Sequence, residues 1–156
     1  MAADEIREAN RSYASGFDKG DLPGPPKRKF AVVTCMDARL DPARFLGLEE
    51  GDAHVIRNAG GTVTDDALRS LVISHHLLGT QEAFVIAHTR CGLLTFTDEE
   101  LQERLGTDMT FHTFPDLEES VRASLRKIRE APELPSSFAG RGFVYEIETG
   151  RLRDVA

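Results

Sequence analysis

Three short apolar runs constrain the fold of this chain more than any other feature: residues 30–34 (FAVVT), 53–57 (AHVIR) and 82–87 (EAFVIA). Each is too short for a helix and rich in β-branched or aromatic residues, as expected of strands buried within a sheet. Helical signals separate them. Asp41 is an N-cap with Pro42 at the first helical position, starting a short helix to about Leu48. Thr64, Asp65 and Asp66 cap a second segment, in which Leu68, Leu71, Val72, His75 and Leu78 recur at helical spacing before Gly79 closes it. Strands alternating with helices indicate an α/β fold: a central, mainly parallel sheet flanked by helices.

The flanking regions fit one domain of 156 residues. Residues 29–156 are expected to form the α/β core and residues 1–28 an N-terminal arm and linker. Within the arm, Ile6, Tyr13 and Phe17 give residues 4–17 a narrow amphipathic stripe, too small to stand alone. This helix is expected to pack on the core or on a neighbouring subunit. Residues 21–26 (DLPGPP) break it and read as an extended linker. Residues 98–105 and 116–130 read as helices with charged outer faces. Residues 143–147 read as a strand, followed by a turn at Thr149 and Gly150 and a possible terminal hairpin over 152–155.

Charge excludes some partners. With a net charge of −7 and no basic run longer than Lys27, Arg28 and Lys29, no nucleic-acid partner is expected. No apolar run approaches the roughly 20 residues of a membrane span, so no membrane partner is expected. The polar, acidic start does not resemble a signal peptide. Cytoplasmic residence follows as the expectation, with the two cysteines reduced and available for metal or catalysis.

In open α/β sheets, sites gather beyond the carboxyl ends of the strands. Cys35, Asp37 and Arg39 leave the first run, Asn58 to Gly61 leave the second, and His88 and Cys91 leave the third. Both cysteines therefore fall at one edge of the sheet. Either alone is most simply an inert buried thiol; the two together, with a histidine at chelating spacing, point to a metal. Two thiolates and an imidazole suit Zn²⁺, and three protein ligands leave the fourth position open, as in catalytic sites. No Cys-x-x-Cys pair suggests redox use. Neither cysteine has the arginine six positions on that a phosphatase loop needs: Asp41 and Thr97 stand there.

Asp37 and Arg39 have a plain reading as a surface ion pair worth about 0–1 kcal/mol. Beside a thiolate ligand they have a stronger one. The carboxylate accepts a hydrogen bond from hydroxide or ligates the metal itself, and the guanidinium holds it bidentately and keeps it ionised. Gly60 and Gly61 let backbone approach a small substrate cavity, or simply turn the chain into the next helix. His54, His75, His76 and His112 lack partners at metal-ligand spacing.

At these residues the sequence resembles the β-class carbonic anhydrases. Cys35, Asp37 and Arg39 match the family's C-x-D-x-R, and His88, Cys91 and Gly92 its H-x-x-C-G. Residues 51–60 and 68–71 also follow the family pattern, so the resemblance covers about residues 30–97 and, more loosely, 142–145. It implies one Zn²⁺ per subunit on Cys35, His88 and Cys91, reversible hydration of CO2 to bicarbonate, and a homodimer or homotetramer. Asp37 and Arg39 carry over as the catalytic dyad, with Asp37 also serving some members as a fourth zinc ligand in a resting state. The N-terminal helix is expected over a partner subunit. One local departure is Arg90, where the family often has small, acidic or lysine residues; a cation there alters the field at the zinc or contacts a neighbouring acid. Two alternatives stay open: hydrolysis of carbonyl sulfide or carbon disulfide on the same site, and a non-catalytic zinc-binding or bicarbonate-sensing module.

Overall fold

In the computed structural model, which describes residues 1–155, every expected element forms. The order is α1 (Ala2–Ser15), β1 (Phe30–Cys35), α2 (Pro42–Leu46), β2 (His54–Asn58), α3 (Asp65–Leu78), β3 (Glu82–His88), α4 (Asp98–Leu105), α5 (Leu117–Glu130), β4 (Ala139–Tyr145) and β5 (Leu152–Asp154). The strands form one sheet in the order β2-β1-β3-β4-β5. The first four are parallel and β5 returns antiparallel to β4.

Local sequence explains where the helices begin and end. Asp41 accepts from the Arg44 amide and Thr64 from the Ala67 amide, which satisfies donors that a helix start leaves open. Thr97 and Glu100 form a reciprocal capping box on α4. Gly47, Gly79 and Gly106 end α2, α3 and α4 in the left-handed conformation.

The central strands β1 and β3 are covered on both faces. Ala31, Val33, Val85, Ala87 and Val144 point to the side covered by Ala67 and Leu71 of α3 and Val121 and Ile128 of α5. Phe30, Val32 and Ile86 point to the other side, against Phe45 and Leu46 of α2. All six residues of β1 are buried, which is why this run lacks the apolar–polar alternation of a one-sided strand. Strand β4 begins four residues before the expected start at Phe143. Ala139, Gly140 and Arg141 are exposed and carry no apolar signal, yet they continue the ladder with Glu82, Ala83 and Phe84.

Helix α1 does not pack on the core. None of its residues is buried, and Ile6, Tyr13 and the following Phe17 are 68%, 55% and 48% exposed. No helix among the described residues is long and apolar enough to cross a membrane.

Strand order places the site. β1 lies between β2 and β3, so the connection leaving β1 toward β2 and the one leaving β3 toward β4 diverge at their carboxyl ends. Such a switch point opens a crevice between the two strand ends. Cys35 is the last residue of β1 and His88 the last of β3.

Candidate metal centre

Cys35, His88 and Cys91 converge in that crevice. Their ligand atoms all lie within 4.8 Å of one another, and all three residues are buried, His88 completely. The imidazole is oriented by its backbone: Nδ1 bonds the Thr89 carbonyl at 2.8 Å. A carbonyl only accepts, so the proton sits on Nδ1 and the Nε2 lone pair is free. Nε2 is buried and has no hydrogen-bond partner. An orphaned buried acceptor is costly unless something binds it.

The thiols are prepared in the same way. The backbone at Asp37 and Gly60 favours the Cys35 thiolate, and that at Leu93 the Cys91 thiolate. The neighbouring Cys91 thiol is the largest influence drawing the Cys35 thiol down, with burial opposing it and His88 assisting it. The neighbouring Cys35 and burial push the Cys91 thiol up. Two sulfurs and one unpartnered imidazole nitrogen form a donor set that fits a thiophilic metal of tetrahedral habit.

Asp37 and Arg39 stand beside this cluster. Asp37 Oδ1 accepts from the Arg39 amide and Nε, each at 2.9 Å, and Oδ2 accepts from Nη2 at 2.7 Å. The arginine bonds hold the Asp37 carboxyl far below the usual carboxylate range. Oδ2 lies 3.8 Å from His88 Nε2, so the carboxylate faces the centre of the cluster while Arg39 holds it from behind.

Gly60 and Gly61 sit in the short turn after β2, both at positive φ. A side chain on Gly61 would meet the Cys35 nitrogen at 2.6 Å, so the turn can lie against the end of β1 only with glycine there. One on Gly60 would meet Phe114 at 3.0 Å and Leu93 at 3.2 Å. Apolar Leu40, Phe114 and Leu93 pack with the cysteines. The remaining histidines stay apart: His54 bonds Ser74, His75 the Thr80 carbonyl and His76 the Glu133 carbonyl.

The family model for carbonic anhydrase matches residues 30–113. β-Carbonic anhydrase 1 of Mycobacterium tuberculosis is 50% identical, over 97% of this chain and 96% of that protein. This chain belongs to the β-class carbonic anhydrases. A crystal structure of the carbonic anhydrase from Streptococcus mutans superposes with a TM-score of 0.92 at 44% identity, covering 100% of this chain and 98% of that one. A carbon disulfide hydrolase from an Acidianus species is also similar, at 35% identity over 83% of this chain and 78% of its own length.

Other residues that shape the carbonic anhydrase site were not singled out from sequence. Arg57, near the end of β2, donates to the Cys35 carbonyl at 2.9 Å and to the Asp37 carbonyl at 2.8 Å, pinning the backbone between these two residues. Its position opposite Thr34 in the β1–β2 register is the signal that could have found it. Glu148 accepts from Thr89 and pairs with Arg90. It lies far along the chain, and only the β3–β4 pairing brings it near.

Proposed function

We propose that this chain catalyses the reversible hydration of carbon dioxide to bicarbonate and a proton, with Zn²⁺ held by Cys35, His88 and Cys91. The observation that carries the reading is Asp37 Oδ2 held by Arg39 and facing the cluster 3.8 Å from His88 Nε2. Zinc bound to such ligands lowers the pKa of water and supplies a nucleophile, though two thiolates offset more of its charge than imidazoles do. With the metal bound, Asp37 would accept a hydrogen bond from the nucleophilic oxygen and so orient it toward the carbon of CO2. Arg39 keeps Asp37 ionised and fixed. The backbone of Gly60 and Gly61, with Leu93 and Phe114 beside Gly60, shapes a small apolar cavity for a substrate without charge.

Several finer features belong to this reading. One zinc per subunit is supported by the single such cluster among the described residues. A homodimer or homotetramer is supported by α1, whose apolar side chains find nothing to cover on their own chain. A cytoplasmic setting suits thiols that must stay reduced. The second reading is hydrolysis of carbon disulfide or carbonyl sulfide, favoured by the 35% identical hydrolase.

Stopped-flow CO2 hydration on the zinc-loaded protein, with a parallel carbon disulfide assay, tests the proposal. Hydration is expected to dominate and to rise toward alkaline pH. Turnover of the sulfur substrate alone would transfer the assignment to the hydrolase.

A further inference from the structure

The turn of the β4–β5 hairpin reaches back to the loop between His88 and Cys91. Glu148 Oε2 accepts from Thr89 Oγ1 at 2.7 Å, and Oε1 pairs with Arg90 Nε at 2.8 Å. Thr89 Oγ1 in turn accepts from the Ile147 amide at 2.9 Å. One carboxylate thus grips both residues that separate the two candidate ligands.

Arg90 needs that grip. Its φ is +54°, a left-handed conformation that a side-chain-bearing residue keeps only where its surroundings enforce it. In this conformation its carbonyl accepts from Arg39 Nη2 at 3.0 Å. The same nitrogen donates to Asp37 Oδ2. An unbroken series of hydrogen bonds and two ion pairs therefore runs from Glu148 through Thr89 and Arg90 to Arg39 and Asp37.

We infer that Glu148 is a positioning residue for the Asp37–Arg39 dyad: it fixes the Arg90 carbonyl that holds Arg39, and so keeps Asp37 on the arginine and off the metal. The inference rests on the functional reading above. The Arg90–Glu148 pair alone would carry little, because Arg90 is 69% exposed and a solvated ion pair is weak. Its weight comes from convergence. The carboxylate also takes the Thr89 hydroxyl, and the loop it braces holds a strained residue between two candidate ligands. When Arg39 loosens, Asp37 has a competing position close at hand, since Oδ2 is already 3.8 Å from His88 Nε2.

The full-length protein with Co²⁺ in place of zinc provides a readout other than turnover. An added anion such as thiocyanate enters the fourth metal position only while Asp37 is off it, and its binding changes the visible absorption. Glu148→Ala is expected to keep one metal per chain, weaken thiocyanate about tenfold, and lower kcat of the zinc form by a similar factor. Glu148→Gln, whose amide oxygen still accepts from Thr89, is expected to fall between Glu148→Ala and the parent. Unchanged thiocyanate affinity in metal-replete Glu148→Ala would overturn the inference. Loss of metal in step with thermal stability would also overturn it, by making Glu148 a structural brace. A parent protein that hydrates no CO2 would sink the functional reading, while the thiocyanate comparison would still judge Glu148.

Discussion

Three side chains at the centre of the molecule have donor atoms prepared for something none of them supplies. His88 Nε2 has no hydrogen-bond partner, and the two cysteines are buried with their sulfurs within 4.8 Å of the imidazole. Replacing Cys35 or Cys91 with serine should therefore cost the protein its zinc, read as metal per chain by plasma emission; stoichiometric zinc in both variants would end the ligand assignment. Asp37→Asn separates binding from chemistry. It should retain zinc while CO2 hydration slows by about tenfold or more, because an amide is a poorer partner for Arg39 and for an attacking hydroxide. Gly61→Ala tests the backbone beneath the ligands. The added carbon meets the Cys35 nitrogen at 2.6 Å and the residue sits at φ +64°, so a loss of about 2 kcal/mol or more is expected in chemical denaturation. These residues were legible because their chemistry is carried by type and spacing. Arg57 and Glu148 were not, since an arginine on a strand and a glutamate in a turn look like solvated charges until the register is known.

Element by element, the strands and helices were readable where local chemistry and burial agree. Caps at Asp41, Thr64 and Thr97 mark helix starts because a side-chain oxygen must satisfy free amides there. The opening of β4 was hidden because its first three residues are exposed and are recruited by Glu82 to Phe84 rather than by their own pattern. The stretch between α4 and α5 was hidden for a similar reason. Asp98 gathers it, accepting from the amides of Phe111, His112 and Thr113 and from the Thr113 hydroxyl, and so delivers Phe114 to the site. The hydroxyl bond leads in drawing the Asp98 carboxyl down from 3.8 to about 2. A carboxyl with its folded pKa below its unfolded one stabilises the fold above the unfolded value and loses that contribution as pH falls through the folded value. Asp98→Asn should then be less stable than the parent near neutrality, and the gap should close between about pH 4 and pH 2. Urea midpoints across that range measure it. A gap independent of pH would mean that the carboxylate charge plays no part in holding this loop.

For the molecule as a whole, the unsolved surface is the arm. Helix α1 and the segment after it reach the rest of the chain through polar contacts, Tyr13 and Lys19 both meeting Glu50, while Ile6 and Phe17 stay in solvent. Apolar side chains aligned on an otherwise charged helix are unfavourable in water and favourable against a second apolar surface. The edge strand β2 and the outer face of α3 offer such surface, with Val55, Ile73 and Leu77 exposed. A second copy of the chain presents the same stripe and the same faces, so a two-fold pairing would cover both arms at once. The expected result is a parent protein that sediments as a dimer or larger species. The Ile6→Glu and Phe17→Glu double variant should shift toward the mass of one chain, with its helix content unchanged. A parent that is monomeric at all concentrations would leave the arm's apolar stripe without a function in assembly. Equal mass for parent and variant would move the interface to β2 and α3, because then the arm would be a passenger on a contact made by the core.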